Sequence, residues 1–317
     1  MIDTLASDIK MNSDRIQNNH NNQNLPKDEN LLANYDMNPS YGNNQVHVSQ
    51  QNLKYNKTDN NDIIMSDAAP HQSTKKINNN NIAMEVKNLH KIYESQAGKA
   101  VVLKGINFII KKGEFVSIVG PSGSGKSTLL NIMGALDTPS SGKIFINRVD
   151  IFALTKSQIA DMRNKLIGYI FQSYNLINRT TVQKNVEIPA IIAGMGDKQR
   201  KKRALKLLDL LGIKNKSNYK PTNLSGGQQQ RVAIARSLMN DPAIILADEA
   251  TGNLDTKTGH EVFELLRMLT KKYNRTIVFV THNPELAAKT DRTIYIKDGK
   301  VEKESINEKY APTENVA

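Results

Sequence analysis

The sequence predicts an α/β fold: a parallel sheet covered on both faces, with an antiparallel β subdomain and a helical subdomain attached to it. Three observations carry that expectation. "FVSIVG" (115–120), "AIILA" (243–247) and "IVFVTH" (277–282) contain short apolar runs of the kind that form strands buried on both sides. The first run passes through a glycine-rich loop into "KSTLLNIMGAL", which has helical spacing. Helical segments then fill much of the stretch from about 156 to 240, ahead of the second run.

Taken in order, residues 1–81 are rich in Asn and Gln, with few long apolar side chains and no sustained period. Such a composition cannot bury enough surface to offset chain entropy, so this Asn-rich stretch is expected to be disordered. Asp3 and Asp8 stand where a signal peptide has its basic region, and no apolar core follows them. Met84 stands where the folded part begins, which makes it an alternative start of translation. Strands around 84–93, 101–110 and 143–146 are expected to form the antiparallel sheet. "KQRKK" (198–202) opens a helix and reads as its solvated face. "DRTIYIKDGKVEKE" (291–304) reads as a closing hairpin. The expected division is a tail at 1–81, one folded domain at 82–304 and a flexible tail at 305–317.

Composition excludes several classes of function. With no cysteine there are no disulfides, thiolate metal sites or thiol nucleophiles. No uninterrupted apolar stretch approaches the roughly 18–20 residues that span a bilayer. The net charge of +12 is uneven: residues 1–81 hold seven Lys/Arg against nine Asp/Glu, which leaves +14 on the remainder. A basic domain admits a nucleic-acid or anionic-membrane reading, but a solvated helix face explains the densest cluster.

The chemistry starts at Gly120–Thr128, "GPSGSGKST". Gly120, Gly125, Lys126 and Ser127 fit G-x-x-x-x-G-K-[ST] in the strand–loop–helix setting the pattern requires. Chance would produce the pattern in roughly one random chain per hundred, so it is informative. Gly123 and Gly125 let backbone amides close around phosphates, with Pro121, Ser122, Ser124 and Thr128 completing the cradle. Lys126 is expected to reach the β- and γ-phosphates and the Ser127 hydroxyl to ligate Mg²⁺. The ligand class is therefore a nucleoside triphosphate. Two neighbouring acids, Asp248 and Glu249, close the oily run "IILA". Phosphate-loop enzymes hold Mg²⁺ with an acid at such a strand end, the place of Asp248. Glu249 is then left to orient and deprotonate the attacking water.

"NLSGGQQQRVAIARSLMNDP" (223–242) begins a further helix. Ser225 and Gln228 have the spacing of a capping box. Two glycines in the first turn each cost up to about 1 kcal/mol relative to Ala, so their bare amides suggest a grip on a second anion.

These motifs resemble the ATP-binding cassette (ABC) ATPases, and the fold they imply is the P-loop NTPase fold of that family. "LSGGQ" (224–228) is similar to the family signature. Around it, in the family's order, stand the phosphate loop, "GYIFQ" ending at Gln172, the acidic strand end, "GNLD" ending at Asp255, and "IVFVTH" ending at His282. Tyr93, in "KIY", sits where the family stacks an aromatic on adenine. The resemblance covers roughly residues 84–303. It implies a head-to-tail dimer holding two ATP molecules, with Ser225, Gly227 and Gln228 acting on the partner's nucleotide. It further implies that Asp248 holds the Mg²⁺ shell and that Gln172 senses Mg²⁺ and the attacking water. Glu249 would be the general base, His282 would hold the γ-phosphate and position that base, and Asp255 would communicate across the dimer. The family's usual Pro after the catalytic Glu is replaced here by Ala250.

Within the family, "GYIFQSYNLINRTTVQKNVEIP" (168–189) and "ADEATGNLD" resemble the lipoprotein-release and macrolide-export ATPases. That resemblance implies a separate integral membrane permease, docked near Gln172–Pro189, and a cytoplasmic protein held on the inner membrane face through it. The alternative is a soluble ABC ATPase acting on nucleic acid or ribosomes. Against it, no heptad run splits the motifs and each motif occurs once; no direct nucleic-acid contact is expected.

Overall fold

The structure is a computed structural model that describes residues 81–96 and 98–311. The expected disordered tail lies outside the described residues except for Asn81, as do residues 312–317. β1 (Ile82–Ser95) and β2 (Gly98–Lys111) pair antiparallel. β3 (Phe115–Val119) leads to α1 (Lys126–Met133), and β4 (Ser141–Ile146) and β5 (Val149–Asp150) return to the first sheet, in the order β2-β1-β4-β5. The antiparallel sheet expected from the three early segments is this one.

After α2 (Lys156–Leu166) and β6 (Ile167–Ile170) come three helices, α3 (Val182–Ile192), α4 (Asp197–Leu210) and α5 (Gly226–Ser237). The chain continues through β7 (Ile244–Asp248), α6 (Thr256–Tyr273), β8 (Thr276–Val280) and α7 (Pro284–Ala287). It closes with β9 (Arg292–Lys297) and β10 (Lys300–Ile306). The second sheet has the order β10-β9-β3-β8-β7-β6, with only the β9–β10 pair antiparallel.

Successive residues of a strand point to opposite faces, and both faces of the central strands β3, β7 and β8 are dry. Phe115, Ile245, Ala247, Ile277 and Phe279 enter one core with α3, α4, α5 and α6. Val116, Ile118, Ile244, Leu246, Val278 and Val280 enter another, beneath the antiparallel sheet, α1 and α2. This double burial explains why the strands read as unbroken apolar runs. β7 begins at Ile244, and the exposed Ala243 precedes it.

Two boundaries differ from the sequence reading. α2 does not join the helical subdomain: Ile159, Met162 and Leu166 pack in the core under the antiparallel sheet, and the chain runs from Leu166 straight into β6. The helical subdomain is α3–α5, packed through residues such as Val186, Leu208 and Val232. At the other end, the hairpin runs to Ile306. Asn307 Nδ2 then donates to Thr290 O at 2.7 Å, and Lys271 Nζ donates to Tyr310 O at 2.9 Å, so residues 307–311 are docked on the domain. On α4, Lys198, Lys201 and Lys202 are exposed, as a solvated face requires.

Phe115 on β3, Phe279 on β8 and Phe263 on α6 meet with ring centroids 5.3–6.1 Å apart, which seats α6 on the two central strands. Phe263→Ala should cost about 3–5 kcal/mol through lost burial and the cavity left behind, measured by urea denaturation. A loss under about 1 kcal/mol would mean that α6 is held some other way.

Candidate functional site

Parallel strands deliver their C-terminal loops to one edge. Here the register brings Ile118 of β3 and Asp248 of β7 level with Val280 of β8, and Ile170 of β6 level with Ala247. Four segments emerge together: Gly120–Gly125 after β3, Glu249 after β7, Thr281–His282 after β8 and Gln172 after β6. The sequence-predicted phosphate loop, Asp248, Glu249, Gln172 and His282 therefore share one site.

The loop cannot carry side chains where it turns. A Cβ on Gly120 would lie 1.9 Å from Ile296 O, and Gly125 caps α1 at φ 100° with Leu103 Cδ2 only 2.8 Å from where its Cβ would be. Lys126 is buried, with Nζ donating to Gly120 O at 2.9 Å and Pro121 O at 2.8 Å. Burial holds its ammonium below the usual lysine range, against the pull of Glu249 and Asp248 in the other direction. Ser124 Oγ is buried with no hydrogen-bond partner, while Pro121, Ser122 and Gly123 are exposed.

Ser127 Oγ donates to Asp248 Oδ1 at 3.3 Å. Burial raises the Asp248 carboxyl and the Glu249 charge adds to the rise, while Ser127 and Lys126 oppose it. Glu249 has φ 43°, in the left-handed region, and its amide donates to Val280 O at 3.0 Å. That conformation is unfavourable for a non-glycine residue and is fixed by the neighbouring strand. Gln172 Nε2 donates to Glu249 Oε2 at 2.9 Å, and His282 Nδ1 lies 3.5 Å from Glu249 Oε1. One carboxylate is thus flanked by an amide and an imidazole. Ala250 is buried against the core, and Gly252 N donates to Glu249 O at 2.8 Å, so hydrogen bonds close the turn.

Gln172 is itself held. Asn253 Nδ2 donates to its carbonyl at 3.0 Å, and Arg236 of α5 donates to the carbonyls of Tyr174 and Asn175 at 2.7 and 2.5 Å. Both of those residues have positive φ, 59° and 51°. None of Asn253, Arg236 and Tyr174 was anticipated, because each acts through a contact distant in sequence.

Ser225 and Gln228 form the capping box read from the sequence: Gln228 N donates to Ser225 Oγ at 3.4 Å and Ser225 N to Gln228 Oε1 at 3.1 Å. The two glycines also have a packing reason that the sequence did not reveal. A Cβ on Gly227 would meet Thr258 Cγ2 at 2.3 Å, and one on Gly226 would meet Tyr174 Oη at 2.9 Å. Asp255 caps α6 through Thr258 N at 3.0 Å, and hydrogen bonding from the Thr258 side chain, then from its backbone, lowers the Asp255 carboxyl. Among the described residues, no hydrogen bond or ion pair joins Ser225, Gly227 or Gln228 to the phosphate loop. Tyr93 is partly exposed near Thr128, with its hydroxyl donating to Asp137 Oδ2 at 2.7 Å.

A sequence profile of the ABC transporter family matches residues 103–252. An uncharacterized ABC transporter ATP-binding protein of Thermotoga maritima is 50% identical over 219 residues, 69% of this chain and 93% of that one. This chain belongs to the ABC transporter family. It is an ATP-binding subunit of that family and an ATPase, with the family's α/β cassette fold. The ABC protein MJ0796 of Methanocaldococcus jannaschii is 47% identical over 225 residues, 70% of this chain and 96% of its own. A solved dimeric structure of MJ0796 superposes with TM-score 0.67 at 46% identity, over 71% of this chain and 98% of that one. Another, a post-hydrolysis dimer bound to ADP and Pi, has TM-score 0.66 at 45% identity, over 71% and 98%. The macrolide export ATP-binding/permease protein MacB of Vibrio parahaemolyticus is 45% identical over 236 residues, 74% of this ABC chain but 36% of MacB.

The Asp248 environment has a measurable sign. A carboxyl raised by folding binds its proton more tightly in the native state, so folded stability falls as pH rises from the ordinary carboxylate range through the raised value. Asp248→Asn should therefore raise the Tm of the nucleotide-free protein at pH 7, and the gain should vanish below pH ~3, where both states are protonated. A lower Tm at pH 7 would mean that the charge is stabilised where it sits.

Proposed function

We propose that two copies of this chain close head to tail around two ATP molecules and drive a separate membrane permease of the export or lipoprotein-release kind. The observation that carries the reading is the meeting at one sheet edge of the glycine loop, Lys126, the Ser127–Asp248 pair, and Glu249 held between Gln172 and His282.

The triphosphate lies along Gly120–Thr128, against the loop amides and the α1 N-terminus. Lys126 Nζ exchanges the Gly120 and Pro121 carbonyls for phosphate oxygens. The buried, unpartnered Ser124 hydroxyl and the close approach at Gly120 suit a loop shaped around an oxyanion. Tyr93 stacks on the base. Ser127 Oγ, Asp248 and Gln172 Oε1 are hard oxygen donors that fit Mg²⁺, which takes few protein ligands beside substrate phosphates. When bound, Mg²⁺ neutralises charge on the β- and γ-phosphate oxygens. Glu249 takes the proton of a water whose oxygen attacks the γ-phosphorus as the bond to the ADP oxygen breaks. Gln172 and His282 hold that carboxylate, and the second imidazole nitrogen of His282 meets the γ-phosphate.

Ser225, Gly227 and Gln228 act on the partner copy's ATP, with Asp255 between the copies. The dimeric forms of MJ0796, one with ADP and Pi, support this arrangement. MacB, by its name, combines ATP-binding and permease functions, which supports a permease partner for this shorter chain. Ile177, Ile191 and Ile192 are exposed around α3 and offer an apolar seat in and beside the Gln172–Pro189 segment for a permease helix. No helix among the described residues is long and apolar enough to cross a membrane; attachment to the inner face of the cell membrane comes through the permease.

Glu249→Gln should bind ATP but hydrolyse it at least about 10²-fold more slowly, and should run as a dimer on gel filtration with ATP. Near-normal turnover would assign the base elsewhere. The tagged chain, purified from its detergent-solubilised native membranes with ATP, should bring a multi-span permease in near-equal amount. Recovery of ribosomes or nucleic-acid proteins in its place would overturn the transport reading.

A further inference from the structure

Tyr93 belongs to a fixed arrangement that the nucleotide-site motifs do not describe. Lys91 lies two residues before it, across a break in the β1–β2 register between Lys91 and Ile92, and both side chains reach Asp137. Lys91 is buried, and a buried ammonium requires partners. Its Nζ donates to Asp137 Oδ1 and to Thr138 O, both at 2.7 Å. The other Asp137 oxygen, Oδ2, accepts the Tyr93 hydroxyl at 2.7 Å. The same ammonium stands 4.6 Å from the centroid of the Tyr93 ring, within cation–π range. Tyr93 is therefore pinned at its hydroxyl and covered on one face by a cation, yet remains 43% exposed.

Asp137 is anchored in turn. The segment after α1 folds back on the helix, with Leu136 N and Asp137 N both donating to Asn131 O, at 2.8 and 3.3 Å. Beyond it, Ser140 N donates to His90 O at 2.9 Å and Ile92 N to Ser140 Oγ at 2.9 Å, which ties the segment to β1 on either side of Lys91. The Tyr93 ring is thus registered against α1, the helix whose first residue is Lys126. Burial would raise the Asp137 carboxyl, but bonds from Lys91, Tyr93 and Thr138 hold it below the usual carboxylate range, so it stays an acceptor.

We propose that Asp137 is a positioning residue for the nucleobase: with Lys91 it locks the Tyr93 ring, closes one face, and leaves the other to stack on a purine. This rests on the reading of the site as an ATP site in which Tyr93 meets the base. A ring already held in one rotamer loses little side-chain freedom on binding, which is worth about three- to tenfold in affinity. The contribution falls on the base and not on the phosphates.

The test compares ATP with inorganic tripolyphosphate, which has the phosphates and no base, on the full chain. Asp137→Ala should raise KM for ATP about three- to tenfold with kcat within about twofold, and should leave tripolyphosphate binding unchanged. Asp137→Asn, which keeps the shape and loses the charge that holds Lys91, should shift KM the same way and lower Tm, because the buried ammonium loses its counter-charge, while tripolyphosphate binding stays unchanged. In a Tyr93→Ala background, Asp137→Ala should add nothing further. Wild-type KM for ATP in both Asp137 variants would overturn the proposal. So would an equal loss of tripolyphosphate binding, or a full additional loss without the Tyr93 ring. If Tyr93→Ala alone binds ATP like the wild type, the base-site reading fails and takes this proposal with it. That outcome separates the two failures.

Discussion

Charge brought to the edge of a dry sheet is the constraint from which the rest of this structure follows. Moving an ion out of water costs several kcal/mol, whereas an ordinary hydrogen bond returns about 1 kcal/mol net. The single bond from Ser127 therefore cannot by itself account for Asp248. Lys126 and Asp248 show the two sides of the balance. Burial pushes each toward its neutral form, and each draws the other back toward its charged one. A parallel sheet buried on both faces can place such groups only where its strands end. The β3, β7 and β8 registers bring those ends level.

Single residues at this edge meet more than one demand. Gly227 leaves a bare amide in the first turn of α5, and it also lets Thr258 approach to a distance no side chain would permit. Asp255 caps the helix that carries Thr258, so the α5 N-terminus and the turn after Glu249 are packed into one unit. A glycine that looks like a pure ligand-binding signal thus carries a packing requirement within its own chain.

Features with a local period or a fixed spacing were legible in the sequence. The strand–glycine–helix run, the acidic strand end and the Ser225–Gln228 box all appear in the structure where the residues placed them. The roles drawn from the family resemblance depended on motif order and not on contacts. What escaped was long-range: Asn253 on Gln172, Arg236 on the carbonyls of Tyr174 and Asn175, and Asp137 between Lys91 and Tyr93. An acid in "ALDTPSSG" has no local mark showing that it will meet a tyrosine 44 residues away. The same limit explains α2, whose helical period was plain while the face it covers was set by its direct passage into β6.

Ala250, which departs from the family's usual proline, has a consequence of its own. Proline has no backbone N–H, so a chain with proline here has nothing at that position to exchange with solvent deuterium. This chain has an amide there, in a buried residue directly after Glu249 and inside a turn closed by the Gly252–Glu249 bond. Local opening must precede exchange at such a site. The isotope uptake of one peptide group thereby becomes a clock for how often the turn next to Glu249 breathes.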